Sequence, residues 1–379
     1  MKKSWIILFA WLGGCDTNPS DTAVSEALVE GLGCDETAVY ERPADPAARG
    51  PWAVGARTVT LGRLNVEVLY PAALGSEEGA LPLDVDIRYA LPESEQAKVT
   101  EGERPYQSCD CYPDLPVDEA HGPYPLILFV HGTASWRTQS LSLMEHWASR
   151  GFVVAAADHP GLWLSDTLAS ICGLPATGSM DLLGDVETVL AGFTEHDPAL
   201  SFVSHRTNVD KVAVVGHSAG ASAASAADDL EGVSVVISMA GSGTVNGTDV
   251  DSALFLGGMS DSVVSFSQTQ SAYEQSLAPK QLVGIAEAGH LVFSDICELT
   301  NDNGQDLIEI ATDAGVCGTQ FASFLFDCAA STIPAADARA IVKSASTWQL
   351  ETHLHCNADQ KAFGDFGELD TWIDVLEVD

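Results

Sequence analysis

The chain has 379 residues, enough for one large domain with insertions or two modest ones. It carries 17 Lys+Arg against 54 Asp+Glu, a formal net charge of −37, which excludes nucleic acid as a partner because the cations that neutralise phosphates are missing. Hydrophobic residues make up 46% of the chain, enough for a sizeable core, and this excludes global disorder.

The first residues predict export. Lys2 and Lys3 precede a short apolar run, Trp5 to Leu12, too short to span a bilayer as a helix. The following Leu12-Gly13-Gly14-Cys15 resembles a bacterial lipobox, which implies a lipid on Cys15 and a mature chain beginning there. The expected organisation is a lipoprotein signal peptide over 1–14, a polar tether over 15–50 and one folded domain over 51–379. The expected location is the bacterial cell envelope, on the periplasmic or cell-surface side, with membrane contact through Cys15.

There are nine Cys. With Cys15 set aside, Cys34, Cys109, Cys111, Cys172, Cys297, Cys317, Cys328 and Cys356 form an even set, which an exported chain oxidises into as many as four disulfides. Their pairing stays open, since such a set allows roughly a hundred connectivities. None has CxxC spacing, and His353-Leu354-His355-Cys356 has no second cluster to pair with. No metal and no cofactor is therefore expected.

Along the chain, Arg57 to Tyr70 is β-branched and partly alternating, as a strand or hairpin would be, and Leu83 to Leu91 reads as another strand. Residues 92–124 are rich in Pro, Glu and Asp, hold two Cys, and read as a surface insertion. Then a rhythm begins. Pro125 to Val130 and Phe152 to Ala157 are continuous apolar runs, expected for strands buried on both faces. Between them, Thr138 to Arg150 predicts a helix stopped by Gly151. Helices follow over Asp181 to Phe193, Ala219 to Leu230 and Phe266 to Leu277, and strands over Lys211 to Val215, Val233 to Met239, Leu254 to Leu256 and Gln281 to Ala286. The alternation predicts βαβ units in a mainly parallel sheet. A helical extension is expected over about 297–379, mostly from Thr319 to Leu354.

Gly216-His217-Ser218-Ala219-Gly220 matches GxSxG directly after the strand ending at Val215 and at the start of a helix. That strand–turn–helix setting is what a nucleophile elbow requires. The turn is tight, so its neighbours must be small, and Gly216, Ala219, Gly220 and Ala221 are. A Ser hydroxyl needs a base. His290, in a loop just past a strand, is the candidate; His353 and His355 sit in the late helical segment. The acid that orients it is expected after a strand between Ser and His. Asp261 fits, with Asp251 and Asp295 as rivals. The loop after Val130 supplies Thr133, whose N–H pairs with that of Ala219 as the expected oxyanion hole. His131 and His217 are expected to shape their loops.

The runs "YPLILFVHGTASWRTQSLSLMEHWASRGFVVAAADHPG" and "VAVVGHSAGASAA" resemble the α/β-hydrolase superfamily. Within it the chain is most similar to the branch of platelet-activating-factor acetylhydrolase-like, dienelactone-hydrolase-like and cutinase-like polyester esterases, and Val66 to Ala72 ("VEVLYPA") resembles the strand that opens that branch. The resemblance spans roughly Val59 to Phe293, with gaps. It implies an α/β-hydrolase fold and hydrolysis of a small-molecule or lipid ester through an acyl-enzyme, with Ser218, His290 and Asp261 as triad. Ala221 stands where the branch often has Gly, and the 92–124 insertion and the long tail are not typical of it. Alternatives on the same fold are a lipase, a peptidase or a chlorophyllase-like enzyme; one from another class is a catalytically inactive surface-binding protein.

Overall fold

Runs of Val, Ile, Leu and Ala form stable strands where helices cover both faces of a sheet. The computed structural model describes residues 30–324, 326–357 and 362–379. The export signal, Cys15 and the tether as far as residue 29 lie outside the described residues. Among those described, no helix is long and apolar enough to cross a membrane.

The strands in chain order are β1 (Glu30–Leu32), β2 (Ala38–Tyr40), β3 (Ala53–Leu61), β4 (Leu64–Ala72), β5 (Asp84–Asp86), β6 (Tyr106–Ser108), β7 (Tyr112–Pro113), β8 (Tyr124–Val130), β9 (Val153–Ala157), β10 (Thr207–His217), β11 (Val233–Met239), β12 (Ser252–Gly258), β13 (Lys280–Ile285) and β14 (Ile373–Val378). The helices are α1 (Glu93–Gln96), α2 (Leu141–Ser149), α3 (Leu164–Cys172), α4 (Leu182–Thr194), α5 (Ala219–Ala226), α6 (Phe266–Gln275), α7 (Leu307–Asp313) and α8 (Ala335–Leu354). One ten-stranded sheet has the order β14-β13-β12-β11-β10-β8-β9-β4-β3-β7. It is parallel from β9 to β13, while β4 and β14 run antiparallel to their neighbours.

Alternate strand residues point to opposite faces. Ile127 and Phe129 of β8 join Trp147 of α2 and Ile341 of α8 in one core layer. Leu126 and Leu128 join Phe193 of α4 and Tyr273 of α6 in the other. From β8 the chain passes to β9 on one side, then returns to β10 on the other. The strand order reverses there, so the loops after β8 and β10 diverge and leave a crevice at the carboxyl ends of the strands.

Two expectations need correction. Residues 30–50 are not all tether: β1 and β2 form a hairpin, Cys34 is bonded to Cys356, and Tyr40 stacks 5.1 Å from the Trp52 ring. The fully buried Arg150 holds this segment through the carbonyls of Pro43 at 2.9 Å and Ala48 at 2.6 Å, and pairs with Glu351. Composition concealed this role because every one of these partners lies outside the segment. In the extension, short 3-10 helices over Thr319–Phe324 and Cys328–Ala330 precede the long helix, which starts at Ala335 behind Pro334. And the extension ends in a strand: β14 pairs antiparallel with β13 and covers what would otherwise be a sheet edge.

The eight remaining Cys form four bridges, Cys34–Cys356, Cys109–Cys111, Cys172–Cys317 and Cys297–Cys328. Among the described residues no group of His, Cys, Asp and Glu is arranged to hold a metal. His355 is instead buried and bonded to the Gly151 carbonyl at 3.0 Å.

Candidate active site

β10 delivers Ser218 to the crevice. Its backbone has φ 58° and ψ −120° at the N-cap of α5, a conformation that costs a non-glycine residue about 1–3 kcal/mol. Close packing holds it there: a Cβ on Gly220 would run into the Val130 carbonyl at the end of β8. The Ser218 N–H donates to the Met239 carbonyl at 2.9 Å. The side chain is half-buried, and its Oγ makes no hydrogen bond among the described residues.

Asp261 lies in the turn after β12 and His290 opens a short 3-10 helix after β13. The His290 Nδ1 and an Asp261 carboxylate oxygen are 2.8 Å apart. The other Asp261 oxygen accepts from the N–H groups of Val263 and Val264, at 2.8 and 2.9 Å. The carboxylate is thereby fixed on one side and free to orient imidazole on the other. The rivals do not meet the ring. Asp295 accepts from the Ser142 N–H at 2.9 Å and from its hydroxyl, and Asp251 is exposed.

In the loop after β8, one backbone N–H is left free between two that are bonded. The Gly132 N–H donates to Gln139 Oε1 at 2.9 Å, and the Ala134 N–H to the Leu162 carbonyl at 2.9 Å. Thr133 lies between them with its N–H unbonded among the described residues, as is the N–H of Ala219, the first of α5. A Cβ at Gly132 would sit 3.2 Å from the Ser218 Cβ, so this loop passes directly beside Ser218. Two free N–H groups beside a hydroxyl, one at a helix start, suit a developing negative charge.

Gln139 was not singled out in the sequence. Besides Gly132 it bonds His217 Nδ1 at 3.1 Å, and His217 Nε2 donates to the His290 carbonyl at 2.9 Å. One amide and one imidazole therefore join the oxyanion loop, the elbow and the base loop. The only signal was a Gln beside an apolar helix, which has no specificity. His131 shapes its loop as expected: its Nδ1 donates to the Gly132 carbonyl at 2.8 Å and its Nε2 accepts from His159 N–H at 3.2 Å.

Burial pushes the His217 imidazole down to about 3, assisted by its neighbour His290. Burial also holds His131, His146 and His355 well below the usual range. Each stays neutral in the folded protein but takes a proton when unfolded below about pH 6.5. Unfolding is therefore favoured as pH falls through that value. Buried Glu67 and Asp158, whose carboxyls are raised by burial, act in the opposite sense once they protonate. The expected result is a thermal midpoint that falls between pH 7.5 and pH 6; a midpoint that rises over this interval would show that the imidazoles are not buried neutral.

The segment after Cys328 embraces the base loop. Ser331 Oγ accepts from the Gly289 N–H at 2.9 Å, and Thr332 N–H donates to the Glu287 carbonyl at 2.9 Å. Cys297–Cys328 closes the far side of this clasp. Replacing both Cys by Ser is expected to cost about 2–5 kcal/mol of stability and to lower kcat by loosening His290. Denaturant melts and steady-state rates check this; an unchanged rate in the destabilised variant would mean that the bridge does not position the base.

The profile of the chlorophyllase family matches residues 115–250, which include β8, the oxyanion loop, the elbow and β11. This is an alternative considered above rather than one of the three branches that the motifs resemble. None of the curated proteins matches the chain. Among solved structures, a ferulic acid esterase from Streptomyces cinnamoneus is similar, with a TM-score of 0.53 and 20% identity over 82% of this chain and 92% of that one. At that identity the likeness shows the fold. With its mainly parallel sheet, flanking helices and crevice at the elbow, the chain has the α/β-hydrolase fold, and both similarities lie on the esterase side of that superfamily.

Proposed function

We propose that the protein is a serine hydrolase that cleaves carboxylic esters through an acyl-enzyme. The observation that carries this reading is the Asp261–His290 contact at 2.8 Å, together with a Ser held at φ 58° at the start of α5 with no competing hydrogen bond among the described residues. Ser218 Oγ attacks the ester carbonyl carbon while His290 Nε2 takes its proton. Asp261 fixes the proton on Nδ1, which leaves Nε2 free to accept, and stabilises the imidazolium that forms. The N–H groups of Thr133 and Ala219 receive the oxyanion. The imidazolium then protonates the leaving alkoxide, and a water repeats the sequence to free the acid. The esterase character of the similar proteins supports the same reaction class. Covalent labelling by a fluorophosphonate tests it: an intact folded protein that takes no label would leave the fold with a binding role only.

The export signal and the lipid on Cys15 belong to this reading. Four bridges suit an oxidising compartment. Cys15→Ala is expected to move the protein from the membrane fraction to the soluble fraction; an unchanged membrane pool would mean that something other than this lipid retains it.

A further inference from the structure

The departures from the family pattern, the 92–124 insertion and the extension, meet over one cavity. It measures about 140 Å³ and includes Ala134 in its lining. Ala134 follows Thr133 in the oxyanion loop, and that loop passes beside Ser218 at Gly132. The cavity therefore borders the loop two residues after Gly132, which lies beside Ser218. Its walls come from three segments far apart in sequence: Leu91 and Val99, Leu168 of α3, and Ile310, Val316 and Phe321 of the extension. Val99, Leu168, Ile310 and Val316 form an apolar cluster separate from the two sheet layers.

The walls are fastened together. Cys172 at the end of α3 is bonded to Cys317. Glu95 accepts from the Cys317 N–H at 2.8 Å and from Lys98 Nζ at 2.7 Å, and Lys98 donates to the Gly315 carbonyl at 3.0 Å. Ile171 and Phe321 are 42% and 48% exposed, so the mouth presents apolar surface to water. Exposed apolar surface around a pocket marks a binding site more often than a structural one.

The lining selects against charge. Arg88 is its one charged side chain, and that guanidinium is already bonded to Asp86 at 2.9 Å, to the Val99 carbonyl at 3.2 Å and to Glu101. No cation remains for a carboxylate or phosphate, and the chain's net charge of −37 opposes anions generally. A dry apolar cavity of roughly 150 Å³ holds a benzene-sized group in other proteins.

We infer that this cavity is the subsite for an uncharged hydrocarbon arm of the ester, an aliphatic chain or an aromatic ring, so that the substrate is a hydrophobic ester. The inference rests on the ester-hydrolase reading above. Two series test it on the whole protein: p-nitrophenyl esters with acyl chains from acetyl to octanoyl, and acetate esters of alcohols over the same lengths. Along one series kcat/KM is expected to rise about fourfold per added methylene until the cavity is full; the series that rises tells whether the arm is acyl or alcohol. Ile171→Glu, at the exposed mouth, is expected to lower the hexanoyl-to-acetyl ratio (or its alcohol counterpart) at least tenfold. Leu81→Glu, an exposed apolar residue outside the cavity, leaves that ratio as it was. Flat profiles in both series, an Ile171→Glu ratio equal to the native one, or preference for a hemisuccinate over a butyrate would each overturn the subsite while leaving the hydrolase reading standing. Absence of turnover on every ester would overturn the hydrolase reading and the subsite with it.

Discussion

Ser218→Ala is expected to lower ester turnover by about 10⁴-fold or more and to abolish fluorophosphonate labelling. The loss falls on chemistry rather than folding. The Ser218 Oγ makes no hydrogen bond among the described residues, so its removal leaves the Ser218 N–H bond to Met239 and the Gly220 packing in place. Ser and Ala both carry a Cβ, and both bear a similar cost at φ 58°. The thermal midpoint should therefore shift by no more than a few degrees. What remains after the substitution is the residual catalysis of the oxyanion donors and of binding. Rates of native and variant protein, measured with a circular dichroism spectrum of each, decide the matter. A correctly folded variant working within tenfold of the native enzyme would remove Ser218 from the mechanism.

Asp261→Asn is the second large effect, a fall in kcat of about 10³- to 10⁴-fold. The substitution is nearly isosteric, and the amide oxygen can keep the bonds from the Val263 and Val264 N–H groups. The turn after β12 therefore survives. What changes is the atom 2.8 Å from His290 Nδ1. An amide NH₂ there donates where the carboxylate accepted. The imidazole must then present its Nδ1 lone pair to that donor and carry its proton on Nε2, where it cannot take one from Ser218. The effect is confined to turnover, since neither atom forms the cavity or the oxyanion donors. A variant in which KM rises and kcat holds would show that Asp261 serves binding instead of orientation.

Both substitutions act on residues legible in the sequence, and the reason is local. A nucleophile elbow depends on small side chains within a few positions, so Gly216 to Ala221 carry the signal themselves. The strand–helix rhythm from Pro125 to Ala286 is equally local, because burial of a strand on both faces leaves an unbroken apolar run. Asp261 and His290, 2.8 Å apart, were expected from chain order and from their place after strands, both consequences of a parallel sheet.

The rest depended on contacts between segments that no local pattern relates. Cys34 and Cys356 are separated by 322 positions, and nothing in their immediate surroundings distinguishes them as partners. Gln139 reads as one polar residue before a helix, yet its amide spans Gly132 and His217 only because β8 and β10 are adjacent. The 30–50 segment looked like a tether because its partners, Cys356, Trp52 and the buried Arg150, lie elsewhere in the chain. The cavity is the extreme case: Leu91, Leu168 and Ile310 are ordinary apolar residues in three unrelated segments, and they line one cavity only when disulfide and hydrogen-bond contacts hold those segments together. The sheet and the strand–turn–helix at Ser218 were legible because they follow from neighbours along the chain; the bridges, the contacts that clasp the His290 loop and the apolar cavity came only from the folded structure, because they follow from proximity in space, which periodicity and composition do not encode.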